Sequence, residues 1–222
     1  MKKRVSISTA AVFIVLGGTV GIQQFISLKI ISRVEQEMPK ASGVSASIPL
    51  ADVPSNLASG EIKSVRINID EFALKTTGIA ASLEISAFSI RKAKPSTVGS
   101  LELTATIPAS AITKFSQFND AQIVGNTLQV SAGAGGLGTA TLIPMYGKNQ
   151  LYFELQSISF LGNQIPASSL PDELQVQIRT MSQRNLTPPK GLEVESVVLS
   201  EKGLSVNMSG SNIQVGNIGS EL

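Results

Sequence analysis

Lys2, Lys3 and Arg4 stand ahead of an uncharged, mostly apolar run from Val5 to Ile22. At about 1.5 Å of rise per helical residue this run covers roughly 27 Å, close to the ~30 Å hydrocarbon core of a bilayer. A chain that starts this way is expected to begin in a membrane. Cations ahead of the span stay on the cytoplasmic side, so the residues after Ile22 are expected outside the cytoplasmic membrane. Gly17, Gly18 and Gly21 leave a cleavable signal peptide as the alternative, although they form no A-x-A site. An uncleaved signal-anchor fits better, because a helical apolar pattern continues past the span. Ile26, Ile30, Val34 and Met38 recur at fours on one face, Lys29, Arg33 and Glu37 lie on the other side, and Pro39 ends the helix.

The expected organisation is a basic tip and transmembrane anchor over 1–24, one outer domain over 25–210, and a flexible tail over 211–222 rich in Asn, Gly and Ser. Composition narrows the chemistry of that domain. With no Cys and no His, neither a disulfide framework nor a thiolate or imidazole metal site is available, and histidine-based nucleophilic catalysis is excluded. No cofactor, no metal and no catalytic residue is expected. The net charge is +2, with three of the cations in the first four residues, so no basic stripe for nucleic acid exists. Charged residues make up 15% against 42% hydrophobic, a mixture suited to sheet with polar but weakly charged outer faces.

Alternation then defines the domain. An edge strand is expected around Val44, Ala46 and Ile48. Val65, Ile67 and Ile69 alternate with Arg66, Asn68 and Asp70; Leu83, Ile85 and Ala87 alternate with Glu84 and Ser86, with a face change near Phe88. Leu101, Leu103, Ala105 and Ile107 alternate with polar residues up to Pro108. The period then changes, since Ile112, Phe115 and Phe118 recur at threes, which predicts a short helix capped by Ser110. Strands resume at 122–124, 128–131, 139–143 and 151–156, the last two joined by a turn at Gly147-Lys148-Asn149. A second helix is predicted from a Ser169 cap, with Leu170, Leu174, Ile178 and Met181 as its apolar stripe. Two closing strands, 192–200 and 204–209, follow.

Two motifs carry chemistry elsewhere and not here. Gly133 to Gly138 spells G-x-G-x-x-G, but a β-patterned segment ending in Pro144 follows in place of the helix that a dinucleotide site needs. A hairpin loop is the better reading. Ser89 and Lys92 match S-x-x-K, yet residues three apart in a strand point to opposite faces. The cluster Arg91, Lys92 and Lys94 reads as a solvated rim, with contact to anionic headgroups as its functional alternative.

Hairpin-like strands broken by short helices predict an α+β domain after the N-terminal transmembrane helix. Seven or more strands tend to curl, so a strongly curved antiparallel sheet closed by a helix around an apolar hollow is expected. The predicted wall is Val65, Ile67, Ile69, Leu83, Ile85, Leu101, Leu103, Phe115, Leu142, Phe153 and Leu155. A hollow of about 300 Å³ or more would mark a holder of acyl chains, and a packed interior a scaffold.

Several local words fit one family. Gly60-Glu61-Ile62-Lys63-Ser64-Val65-Arg66-Ile67, Pro108-Ala109-Ser110-Ala111-Ile112-Thr113, Ile165-Pro166, Pro189-Lys190-Gly191-Leu192, Val197-Val198-Leu199 and Gly203-Leu204-Ser205-Val206 follow one another in order. Together with the amino-terminal segment, this order resembles the LmeA-like phospholipid-binding family of actinobacterial cell envelopes. The stretch from Ile48 to Pro54 departs from the family's "P-F-L" word. The resemblance implies a TULIP-like half barrel, as in one module of the tubular lipid-binding superfamily, with a helix wrapped by a curved sheet. It also implies periplasmic phospholipid binding in support of lipid or lipoglycan assembly, with no catalytic motif. The implied partners are a phospholipid or other acyl-chain lipid, the cytoplasmic membrane and envelope-biosynthesis proteins. A non-catalytic envelope module that docks a protein is the alternative.

Overall fold

The computed structural model describes residues 4–5, 31–32, 34–35, 40–49, 61–74, 78–91, 97–133 and 137–214. The predicted anchor over 1–24 lies outside them except for Arg4 and Val5, as do Lys92, Lys94 and residues 215–222. Among the described residues no helix is long and apolar enough to cross a membrane. Of the predicted helix over 26–38, Ile31, Ser32, Val34 and Glu35 are described; they are helical, and Val34 is 1% exposed while Glu35 is open to solvent.

Each long run of alternation becomes a strand with one buried face. The strands are β1 (Arg4–Val5), β2 (Ser42–Ser47), β3 (Glu61–Ala73), β4 (Ala80–Arg91), β5 (Thr97–Pro108), β6 (Gln122–Val124) and β7 (Thr127–Ala132). They continue as β8 (Gly138–Gly147), β9 (Gln150–Phe160), β10 (Asn163–Pro166), β11 (Arg184–Leu186), β12 (Glu193–Ser200) and β13 (Gly203–Gln214). Two short helices interrupt them, α1 (Ile112–Ser116) and α2 (Asp172–Ser182).

The single curved sheet is corrected to two sheets. One runs β12-β13-β5-β4-β3-β2; the other runs β1-β11-β9-β8-β7-β6, with β10 also on β9. The physical reason lies in the edge of β5. After α1 the chain does not return to that edge, which is taken by β13 from the far end of the sequence, pairing Leu204 with Ile107, Val206 with Ala105 and Met208 with Leu103. The strands from β6 onward therefore start a second layer. Every pair is antiparallel except β1 on β11, where Arg4 faces Asn185 and Val5 faces Leu186.

The first sheet changes face along a crease that crosses several strands. Val65, Ala87 and Leu101 form one buried row, yet Ile90 and Val98, three residues away, are buried as well, which regular alternation forbids. Between the rows Ser89 takes φ 53° opposite Gly99, and Asn212 takes φ 53° on β13, next to Ile213, which pairs with Val98. The face change expected near Phe88 is thus a property of the sheet. A Cβ on Gly99 would sit 2.8 Å from that of Ser89, so the crease needs glycine there. The crease also carries β13 past the expected stop at Ser209 to Gln214, burying Ile213.

Two capping expectations fail. Ser110 and Ser169 lie inside 3-10 turns, Ala109–Ala111 and Ala167–Ser169, and neither α1 nor α2 has a side-chain cap. Backbone bonds serve the turns, as Leu170 N–H donates to the Ala167 carbonyl at 3.0 Å. Asp172 and Glu173 in the first turn of α2 place negative charge at its positive end. The stripe of α2 is also shorter than expected: Leu170, Leu174 and Ile178 pack on the core, while Met181 is exposed.

Candidate functional site

The inward rows of the two sheets meet in one apolar core. Ile67, Ile85 and Leu103 form one cross-strand row and Ile69, Leu83 and Ala105 the next, with Leu128, Leu142, Phe153 and Leu155 supplied by the second sheet. All eleven residues predicted as wall are at most 3% exposed. They pack in one apolar cluster, and Phe115 also borders a small cavity. That cavity measures about 20 Å³ and is bounded by Leu74, Ala81, Ala105, Ile107, Phe115, Leu151, Arg184, Leu186 and Val206. A water molecule needs ~10–15 Å³ by the same kind of measure, so the space is an order of magnitude below that of an acyl-chain pocket.

Its position follows from two small residues. Ala81 pairs with Phe72, Ala105 stands in a row otherwise built of Ile69, Leu83 and Val206, and the two alanines leave a gap where the first sheet faces β11 and α1. Neither alanine was singled out from sequence, because an alanine in an alternating strand reads as one more apolar position. Its small size matters only once the facing layer is known.

Arg184 closes the cavity and is 5% exposed. Its guanidinium donates from Nη1 to the carbonyls of Gln183 at 2.8 Å and Met181 at 3.3 Å, and from Nη2 to that of Phe115 at 3.0 Å. These carbonyls lie at the C-terminal ends of α2 and α1, where helices leave acceptors unsatisfied and the dipole is negative. No carboxylate among the described residues pairs with the charge. Burial accordingly pushes the Arg184 pKa down from its ordinary value. Nothing in the sequence pattern marks Arg184 for this role, because its acceptors are backbone carbonyls at the ends of two helices.

Around it, Ser182 accepts from the Phe153 N–H at 3.0 Å and donates to the Ile178 carbonyl at 2.8 Å, joining α2 to the part of β9 that neither β10 nor β11 covers. The Arg179 guanidinium lies 4.0 Å over the Tyr152 ring. Among the described residues no three carboxylates gather as a metal-ligating group.

The set-aside motifs are placed as hairpin features. Gly133 and Gly138 bracket the loop between β7 and β8, and Gly138 opens a strand. Ser89 is the crease residue, and Arg91 forms an exposed ion pair with Glu61 at 3.3 Å. The outer face of the first sheet combines the Arg66–Glu84 ion pair at 3.6 Å with uncharged pairs, Thr104 donating to Asn207 Oδ1 and Asn207 donating to Ser196, each at 2.9 Å.

Neither the curated proteins nor the solved structures compared with this chain give a match. A family model described as LmeA-like phospholipid-binding matches residues 18–209. That span takes in both helices, every wall residue named above and every strand but β1 and the end of β13. On that match the chain belongs to the LmeA-like phospholipid-binding family.

Proposed function

We propose that the chain is a membrane-anchored, extracytoplasmic phospholipid-binding protein that shields acyl chains and supports envelope lipid or lipoglycan assembly without doing chemistry. The family match over 18–209 carries this reading. The interior is compatible with it in a specific way. Among the described residues the two sheets share no backbone ladder and meet through apolar side chains, so an acyl chain that enters between them covers the same surface that it uncovers. Each buried methylene contributes ~0.8 kcal/mol, so aliphatic walls suffice without a charged anchor. This seam takes the place of the tubular hollow that the resemblance implies. Anchoring through residues 5–22 releases the two-residue pairing of Arg4–Val5 with β11, a cost of about 2 kcal/mol at ~1 kcal/mol per hydrogen bond.

A second reading, a scaffold that docks an envelope-biosynthesis protein, is favoured by the close packing of the eleven predicted wall residues, each at most 3% exposed. Purification of the full chain from membranes, followed by lipid extraction and mass spectrometry, separates the two. Phospholipid held in fixed ratio to protein is the expected result. A folded monomer that is empty in every lipid background leaves the scaffold.

A further inference from the structure

The geometry points to the open end of the second sheet, where the β9–β10 turn meets the start of β8, as a bilayer-inserting tip. Leu161 is 75% exposed, Leu137 63%, Phe160 45% and Ile165 38%. Single exposed apolar residues are ordinary, but these four share one end of one sheet. Phe160 pairs with Gly138, which follows Leu137, and its ring would be 3.6 Å from a Cβ placed on that glycine; Asn163 pairs with Phe160 across the turn, and Ile165 with Ile158.

The fold does not require these residues. Leu161 (φ 49°) and Gly162 (φ 83°) are the two central residues of a hairpin turn with left-handed backbone, positions that favour Gly, Asn or Asp. A leucine there is unfavourable for the backbone and for solvation alike. The partner is indicated by charge. The turn and the strand ends that carry these four residues hold no Asp, Glu, Lys or Arg, from Leu137 to Gly147 and from Leu155 to Pro171; the Asp120 carboxylate lies behind them, accepting from the Ser131 N–H. An apolar tip with no charge on its own turn matches the acyl region of a bilayer, which penalises every charged side chain. The choice of a bilayer rests on the phospholipid-binding reading above.

The absence of cysteine makes a direct test available. The full chain is reconstituted in phosphatidylcholine vesicles with a fluorophore on Leu161→Cys, on Leu137→Cys, or on Val124→Cys beside the turn at the opposite end of β7. Labels at 161 and 137 are expected to be shielded from aqueous iodide and quenched by brominated acyl chains, at low and high salt alike, with the label at 124 open to iodide. Leu161→Asn, better suited to positive φ, should keep or raise the melting temperature. It should lower the inserted-to-free ratio of the 137 label about tenfold, the effect of one buried leucine. Equal iodide access at all three sites overturns the inference, as do shielding without lipid quenching, which means a second copy covers the tip, and insertion that salt abolishes. Lipid content is measured on the same samples. An inserted tip with an empty interior keeps this inference and defeats the cargo reading, and a loaded interior with the tip in water does the reverse.

Discussion

At the scale of residues, Arg184 decides how the two helix ends are held. Its three hydrogen bonds go to backbone carbonyls, the one to Phe115 buried and those to Met181 and Gln183 part-buried. Removing the charge relieves a desolvation cost, but it orphans three acceptors at ~1–3 kcal/mol for each one left buried. The second effect is larger. Arg184→Met is expected to lose about 2 kcal/mol or more in denaturant unfolding, and Arg184→Lys to recover little of it, because one ammonium lacks the fork that spans both helix ends. Asp120 makes a milder contribution at the surface. Hydrogen bonds from Ser131, including its N–H at 3.0 Å, hold the carboxyl pKa below its ordinary value. The sign is that of a depressed acid: the contribution is complete above the unfolded-state pKa and is lost as pH falls through the folded one. Asp120→Asn should therefore lower the neutral plateau slightly and leave the stability at acid pH unchanged, which flattens the acid side of a stability-against-pH curve. Neither role was visible in sequence. A buried arginine and a turn-pinning aspartate are defined by groups 69 and 11 residues away.

At the scale of elements, alternation located nearly every strand, because one buried face per strand writes itself into the sequence with period two. The strands it missed are short or uniformly exposed. β11 has three residues, and β10 is open along its whole length. Capping failed because Ser110 and Ser169 were judged by residue type, whereas the preceding 3-10 turns had already supplied backbone partners. The crease was half legible. Sequence showed the slip at Phe88 on β4, but the matching slips at Gly99 and Asn212 make sense only once the strands are paired. It is testable as a unit. Gly99→Val places branched carbons against Ser89 and is expected to cost about 1–3 kcal/mol as overpacking. Ser89→Gly removes both the contact and the positive-φ strain, so the double variant should recover most of that loss in thermal melts. Simple addition of the two effects would mean that the residues do not share one crease.

For the whole molecule, the expected hollow has to be weighed against what it costs when empty. At ~24 cal/mol per Å³, a vacant space of 300 Å³ would cost about 7 kcal/mol, comparable with the entire stability of a domain. A lipid holder built on rigid walls would hardly fold when empty. Two sheets that share no backbone ladder among the described residues can avoid this by closing on each other, and around Ala81 and Ala105 they leave a gap of about 20 Å³. Strand patterning therefore identified the apolar surfaces correctly but not whether they would face a ligand or each other, since both call for the same residues. The difference shows in linkage. A delipidated chain should melt cooperatively, and added phospholipid should raise its melting temperature in a concentration-dependent way, as a ligand of the folded state alone must. Ala105→Phe puts a ring into the seam. It is expected to lower the melting temperature of the empty chain by overpacking and to shrink the lipid-induced rise, because ring and acyl chain compete for one space. A lipid-induced rise of full size in Ala105→Phe would place the acyl chain away from this seam, and no lipid-induced rise in the unmodified chain would leave the closed core as the working state of the protein.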